Sequence, residues 1–345
     1  MKYGLTVLFI ISSQISCSES EETGSENPVL AVKSDLPKKK ITEKSIHNNK
    51  EKLPTQIIPK NPGRKDTGNI KELPPLKTGE KLHLDVGYGP APYKVVEVMV
   101  EEAKIKKSDL LYDLGCGDGR IVNIISKKTG CTGVGIDLDP KRVEQSKKNA
   151  IRMGLTNTVK IYRQNIFNID LSSATVAAMY LNQKTNLKIR SKILREMRPG
   201  TRIISLNHTM GEWRSDIRRK VGRHRVLIWF IPANVYNEWE YILDWNKELK
   251  RIKLNIYQDF QEFTGNALIN GKKYKLYNRS LQGKKIAFSV SIPVEGKKSK
   301  LLFSGTVEGS KVVGIFKTND KTHSFIGTAM GKFRKFYKNL KQKKS

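Results

Sequence analysis

The sequence predicts an α/β domain over residues 81–245, a mainly parallel sheet covered by helices, followed by a small antiparallel β domain over 246–331. Three observations predict it. Short apolar strands alternate with helix-period segments between Leu110 and Leu206. The first of these strands runs into a loop with glycine at alternate positions. Beyond Asn246 the pattern changes to short alternating strands separated by turn residues.

The chain of 345 residues is long enough for two domains, and its 38% hydrophobic content suggests that part of it joins no core. Residues 1–17 read as an export signal: Lys2, an apolar run from Leu5 to Ile11, then Ile15-Ser16-Cys17. A small residue before a lone cysteine resembles a bacterial lipoprotein signal, in which the cysteine is acylated, although Gln14 stands where such signals usually carry Leu. The run is shorter than the roughly twenty residues of a membrane-spanning helix. The expectation is an exported protein held at the membrane surface through lipidated Cys17, with a cytoplasmic protein as the alternative. Residues 18–80 hold no Phe, Tyr or Trp and many prolines, so they predict a disordered linker.

Val96, Met99, Val100 and Ala103 recur at helical spacing, and Ser108-Asp109 ends that helix. The strand Leu110–Leu114 then opens into Gly115-Cys116-Gly117-Asp118-Gly119, and Ile121, Ile124 and Ile125 continue as a helix. Glycine lets backbone approach a ligand, and the helix N-terminus offers unpaired N–H groups. The spacing is not the G-x-G-x-x-G of pyrophosphate loops. With Asp113 in front, it suits a ligand with an amino-acid head and a sulfonium. A second strand, Gly133–Ile136, ends in Asp137, where a carboxylate can accept from two ribose hydroxyls. Pro140 opens the next helix, and Val159–Tyr162 predicts a third strand leading to Asn165-Ile166.

These residues resemble the class I S-adenosylmethionine-dependent methyltransferases, with Asp113 to Gly119 as the first motif and Asp137 as the ribose acid. Further motifs narrow the likeness: Tyr88-x-Pro90-x-Pro92, Ala174 to Leu181, Arg198 to Ser205, Met210-Gly211-Glu212-Trp213 and Trp229-x-x-Pro232. Together they resemble a bacterial exported subfamily with a C-terminal β extension. That subfamily is similar to the mitochondrial lysine methyltransferases that modify the c-ring proteins of ATP synthase and adenine nucleotide carriers. The resemblance implies a Rossmann-like seven-stranded sheet and S-adenosyl-L-methionine as cofactor. It implies cofactor contacts from Asp113, Gly115, Cys116, Gly117, Gly119, Asp137, Asn165 and Ile166, and a protein lysine as acceptor. Asn165 stands where many members carry an Asp toward the adenine amine. A non-catalytic S-adenosylmethionine-binding envelope protein and an RNA methyltransferase are the alternatives.

Methyl transfer needs alignment of an unprotonated nucleophile more than a catalytic triad, and no triad is visible. Tyr180 and Asn182, after the strand Val176–Met179, are the candidates for substrate contact, with core packing as the competing role for Tyr180. His208 and Trp213, after the strand Thr201–Leu206, are further candidates to line the acceptor pocket, though a lone His at a strand end more often serves structure. No metal site is expected, because Cys17, Cys116 and Cys131 lack zinc spacing.

Arg225–Ile231 predicts a buried strand, with Trp239–Trp245 as its hairpin partner completing the sheet. The β domain then predicts strands at 253–262, 272–279, 285–292, 301–307 and 312–316, with Asn270-Gly271 and Glu308-Gly309 as turns. Residues 332–345 read as a basic, disordered tail. Lys+Arg 64 against Asp+Glu 33 gives a net charge of +31, which admits nucleic acid, anionic membrane or acidic protein as partners. The basic residues are dispersed, so a dedicated nucleic-acid surface is not favoured.

Overall fold

The computed structural model describes residues 89–337 apart from 246–247, 295–296 and 319–320. The signal of residues 1–17 with Cys17, the linker of 18–80, Tyr88, and the tail beyond residue 337 lie outside the described residues.

The first domain runs α1 (Tyr93–Glu102), β1 (Leu110–Leu114), α2 (Arg120–Thr129), β2 (Thr132–Asp137), α3 (Pro140–Arg152), β3 (Val159–Arg163), β4 (Val176–Met179), α4 (Gln183–Glu196), β5 (Arg202–Leu206), β6 (Ile217–Val221) and β7 (His224–Phe230). Its seven strands lie in the order β3-β2-β1-β4-β5-β7-β6. The first five are parallel, and β7 pairs antiparallel with both β5 and β6. Strands β1, β2 and β4 read as near-continuous apolar runs because helices cover both faces. Val95, Val96, Met99 and Val100 form the buried stripe of α1. Asp139 caps α3 by accepting from the Lys141 N–H at 2.9 Å, with Pro140 at the first helical position. The strand order reverses between β1 and β4, so the carboxyl ends of β1, β2 and β4 frame a crevice where ligands of such sheets bind.

The second domain is a closed eight-stranded barrel of β8 (Glu238–Trp245), β9 (Glu248–Asp259), β10 (Glu262–Ile269), β11 (Lys272–Gln282), β12 (Lys285–Val294), β13 (Lys297–Glu308), β14 (Lys311–Lys317) and β15 (Thr322–Met330). Closure removes the exposed edges that an open antiparallel sheet would leave. The Asn270-Gly271 turn has φ of 50° and 75°, the left-handed pair of a tight hairpin. The interior is aromatic: Tyr241 stacks on Phe325 and Phe288 on Phe303, each at 4.8 Å.

Three expectations are corrected. The strand Trp239–Trp245 does not complete the sheet; as part of β8 it pairs with β9 and β15 in the barrel. The barrel therefore begins before residue 246, and the seventh sheet strand is β6, whose charged Ile217-Arg218-Arg219-Lys220-Val221 carries no apolar signal. The predicted strand 253–262 is the end of β9 and the start of β10, and β15 was not foreseen. Residues 332–337 are ordered: Phe333 packs edge-on against Trp239 at 5.8 Å, and buried Phe336 joins the sheet domain's core. Burial of these rings, spaced among lysines, is what ties this segment down.

The two domains meet at Phe260, in the β9–β10 turn. Its ring stacks on Trp213 at 5.8 Å and 8°, and the buried Arg190 guanidinium of α4 lies 5.3 Å from the Phe260 centroid. The Phe260 N–H donates to the Phe336 carbonyl at 3.0 Å.

Candidate functional site

The loop after β1 is shaped by its neighbours. The Gly115 and Cys116 N–H groups donate to the Ile136 carbonyl at 2.8 and 2.9 Å, which ties the loop to the end of β2. Gly115 and Gly119 have φ of 82° and 78°, a region costly for side chains. A Cβ at Gly115 would also sit 2.6 Å from Leu181 Cδ2, and one at Gly119 would sit 2.0 Å from Ser146 Oγ. Gly115 and Gly119 are thus required by conformation and by space.

Asp113 is fully buried at the end of β1. Its Oδ2 accepts from the Val122 N–H of α2 at 3.2 Å, while Oδ1 has no partner. Burial pushes its carboxyl up to about 7, and the nearby Asp137 and Asp118 add to that. Asp137, at the end of β2, accepts from the Gly117 N–H at 2.8 Å through Oδ2 and from the Asp139 N–H at 2.9 Å through Oδ1. The Cys116 thiol is buried, and burial raises its pKa well above the ordinary value. Cys116 therefore contributes volume and backbone to the loop, not a thiolate.

Asn165 follows β3, and its Oδ1 accepts from the Phe167 N–H at 3.0 Å in an Asx turn; an amide oxygen of this kind carries two lone pairs. Ile166 is half-buried against the sheet core. The cofactor residues expected from sequence thus converge on the carboxyl ends of three adjacent strands, β1, β2 and β3.

These residues fit S-adenosylmethionine and discriminate against a dinucleotide. Three carboxylates, Asp113, Asp118 and Asp137, surround the loop, and Asp113 keeps a buried oxygen free to accept. A pyrophosphate there would meet like charge, whereas an ammonium and a sulfonium would relieve the repulsion.

On the acceptor side the residues separate. Tyr180, at the end of β4, is half-buried, and its hydroxyl oxygen accepts from Asn207 Nδ2 at 3.4 Å. Asn182 caps α4, its Oδ1 accepting from the Thr185 N–H at 2.8 Å, so a structural duty accounts for it. His208 serves the fold through its carbonyl, which accepts from Ser205 Oγ at 2.8 Å and Asn186 Nδ2 at 3.1 Å. Burial, with the Arg225 charge, lowers the pKa of its imidazole. Trp213 does not line a pocket: it is fully buried against Trp229 and Phe260. Sequence reading missed Asn207 and His224. Asn207 has φ of 67°, and its Nδ2 lies 3.2 Å from His224 Nδ1. Asn directly after a strand is the residue type that tolerates a left-handed turn, a signal that could have pointed to it.

The sheet order, the glycine loop and the carboxylate ending β2 define a class I S-adenosylmethionine-dependent methyltransferase. The ANTKMT methyltransferase domain matches residues 113–217, which leaves the barrel outside the match. A protein-lysine N-methyltransferase of Saccharolobus islandicus (strain REY15A) is 37% identical over 129 residues, spanning 37% of this chain and 80% of the relative. The lysine N-methyltransferase of the ATP synthase C-subunit from Homo sapiens is 30% identical over 147 residues, spanning 43% of this chain and 61% of the relative. Among solved structures, an RNA methyltransferase from Salinibacter ruber in complex with S-adenosyl-L-homocysteine has 37% identity and a TM-score of 0.42, over 43% of this chain and 96% of that one. The chain belongs to the class I S-adenosylmethionine-dependent methyltransferases.

Proposed function

We propose that this enzyme methylates the ε-amine of a lysine in a protein substrate. The observation that carries the reading is the 37% identity to a protein-lysine N-methyltransferase along 80% of that relative. When bound, S-adenosylmethionine supplies a methyl group already activated on its sulfonium. Asp113 and the glycine loop hold the cationic head, and Asp137 takes the ribose hydroxyls. Asn207 donates to the Tyr180 oxygen, which fixes the phenol at the end of β4. The hydroxyl is then placed to hydrogen-bond an incoming amine and orient its lone pair. A lysine amine ordinarily titrates at about 10.4, so its passage from water into a half-buried site favours the neutral, nucleophilic form.

The test is incubation of the full-length chain with methyl-labelled S-adenosylmethionine and cell-envelope extract, followed by amino-acid analysis of the labelled material. Methyl-lysine is the expected product. Label recovered only in nucleic acid or in other side chains would overturn the lysine assignment.

We propose further that the chain is exported and held at a membrane surface by acylated Cys17, a reading supported by the apolar run Leu5–Ile11 and the lone cysteine that follows. Labelled palmitate should enter the wild type and not Cys17→Ala, which should leave the membrane fraction; equal fractionation of the two proteins would count against the anchor.

A further inference from the structure

An open groove of about 590 Å³ runs between α1 and the β6–β7 hairpin. Val95 and Val98 of α1 and Val221 of the hairpin make its apolar surface, and Lys94, Lys220 and Arg223 stand on its rim. Those three rim residues are exposed, and among the described residues no carboxylate pairs with them. The acids of α1 face other cations: Glu97 pairs with Lys128 at 2.6 Å, Glu102 pairs with Arg219 at 2.5 Å, and Glu101 adds its charge to the surroundings of Lys128. Among the described residues, one wall of the groove therefore presents uncompensated positive charge around an aliphatic surface.

The groove leads to the acceptor side of the site. His224 lines it, and His224 Nδ1 lies 3.2 Å from Asn207 Nδ2, which lies 3.4 Å from the Tyr180 hydroxyl. The backbone just before α1 closes the other side, since a Cβ on Gly89 would sit 3.8 Å from the Tyr180 ring and hydroxyl.

We infer that this groove docks the acceptor polypeptide as an apolar segment whose target lysine is flanked by acidic side chains. The inference rests on the protein-lysine reading above and names the chemistry of its substrate. Charge complementarity selects the occupant: three cations that no described carboxylate pairs, around an aliphatic surface, match aliphatic side chains bordered by carboxylates. A second copy of this basic chain would bring like charge to the rim. Nucleic acid would find no Phe, Tyr or Trp in the groove on which to stack a base, only the half-buried His224 imidazole beside Asn207. Continuity with Asn207 and Tyr180 sets the direction, the segment lying along α1 while its lysine reaches the end of β4.

The experiment uses the full-length chain and a short fluorescein-labelled peptide with one lysine among leucines and alanines and a glutamate on either side. Affinity is read by anisotropy and transfer by labelled S-adenosylmethionine. The double variant Lys220→Glu/Arg223→Glu should weaken peptide binding about tenfold or more and raise KM in parallel, with kcat and S-adenosylmethionine affinity nearly unchanged. A peptide with lysines in place of the glutamates should recover affinity for the variant and lose it for the wild type. A serine-substituted peptide should bind the wild type more weakly than the apolar one. Equal binding of the glutamate peptide by wild type and variant, or no binding by the wild type, overturns the groove assignment whether or not methyl-lysine forms elsewhere. Binding that follows the charge swap without methylation of the lysine upholds the groove and instead overturns the acceptor assignment.

Discussion

The sheet domain buries Asp109, Asp113, Asn123, Ser146, Asn186 and Arg190, whereas the barrel is lined almost wholly by aromatic and aliphatic side chains. Several of the sheet domain's buried polar atoms, among them Asp113 Oδ1, both side-chain amide atoms of Asn123 and Ser146 Oγ, have no partner, and they gather behind the glycine loop. Such groups cost stability unless something binds them. In the barrel, ring packing fills the volume that a ligand-binding barrel would leave open. The contrast teaches where the chemistry lies: one half tolerates unsatisfied polarity to receive a polar ligand, and the other supplies a stable body attached beside it.

The sharpest way to break this comparison is at the joint. Phe260 adopts φ of 53°, an uncommon value for a bulky residue, and is held there by Trp213, Arg190 and Phe336. Phe260→Ala removes from the sheet domain's core a buried ring that the barrel's β9–β10 turn supplies, and should cost about 3–5 kcal/mol. Denaturant melts would show it, while S-adenosylmethionine affinity measured well below the transition should stay within about twofold of wild type. A large loss of affinity would mean that the barrel shapes the cofactor site.

Next in size is Asp137→Ala, on the cofactor side alone. It deletes the carboxylate that holds the Gly117 N–H and that is proposed to take the ribose hydroxyls. Loss of about 2–3 kcal/mol of binding, on the order of a hundredfold in Kd by calorimetry, is expected. Unchanged affinity would remove Asp137 from the site.

How much of this was legible in the sequence follows the same division. The glycine loop, Asp113 and Asp137 were readable because ligand chemistry constrains residue type and spacing together. The placement of Trp239–Trp245 was missed although the signal was present. Trp239, Tyr241 and Leu243 are buried while Glu240, Ile242 and Asp244 between them are not, the two-residue period of a strand with one covered face. Val226 to Trp229 of β7 are buried without a break, as a central strand requires. Strand β6 had no signal, since an edge strand of Arg and Lys reads as a loop. Asn207 and His224 were illegible as a pair because β7 returns antiparallel to β5, a pairing that no local pattern encodes.

A smaller effect sharpens the polarity argument. The Asp113 carboxyl is raised to about 7 from 3.8, so the folded, ligand-free chain holds a proton there that the unfolded chain has lost. Stability of the ligand-free protein should therefore fall as pH rises through the window between those two values. A cationic ligand prefers the carboxylate, so S-adenosylmethionine should bind several-fold more tightly at pH 8 than at pH 6, with proton release. Asp113→Asn should bind more weakly at high pH and lose this part of the pH dependence. A slope in the variant equal to that of the wild type would show that another group titrates.

The smallest expected effect tests the barrel's side of the comparison. The Tyr241 hydroxyl is fully buried without a partner, and burial alone pushes its pKa far above the ordinary value. Its ring is fixed by stacking on Phe325 and by Gly327, where a Cβ would come 2.4 Å from the ring. Tyr241→Phe keeps those ring contacts and removes only the unsatisfied oxygen. If the barrel interior is a packing device, the variant should gain about 1 kcal/mol of stability with unchanged cofactor affinity and turnover. If stability falls instead, the hydroxyl has a partner in solution and the barrel interior holds a polar site, so that the two halves differ in degree and not in kind.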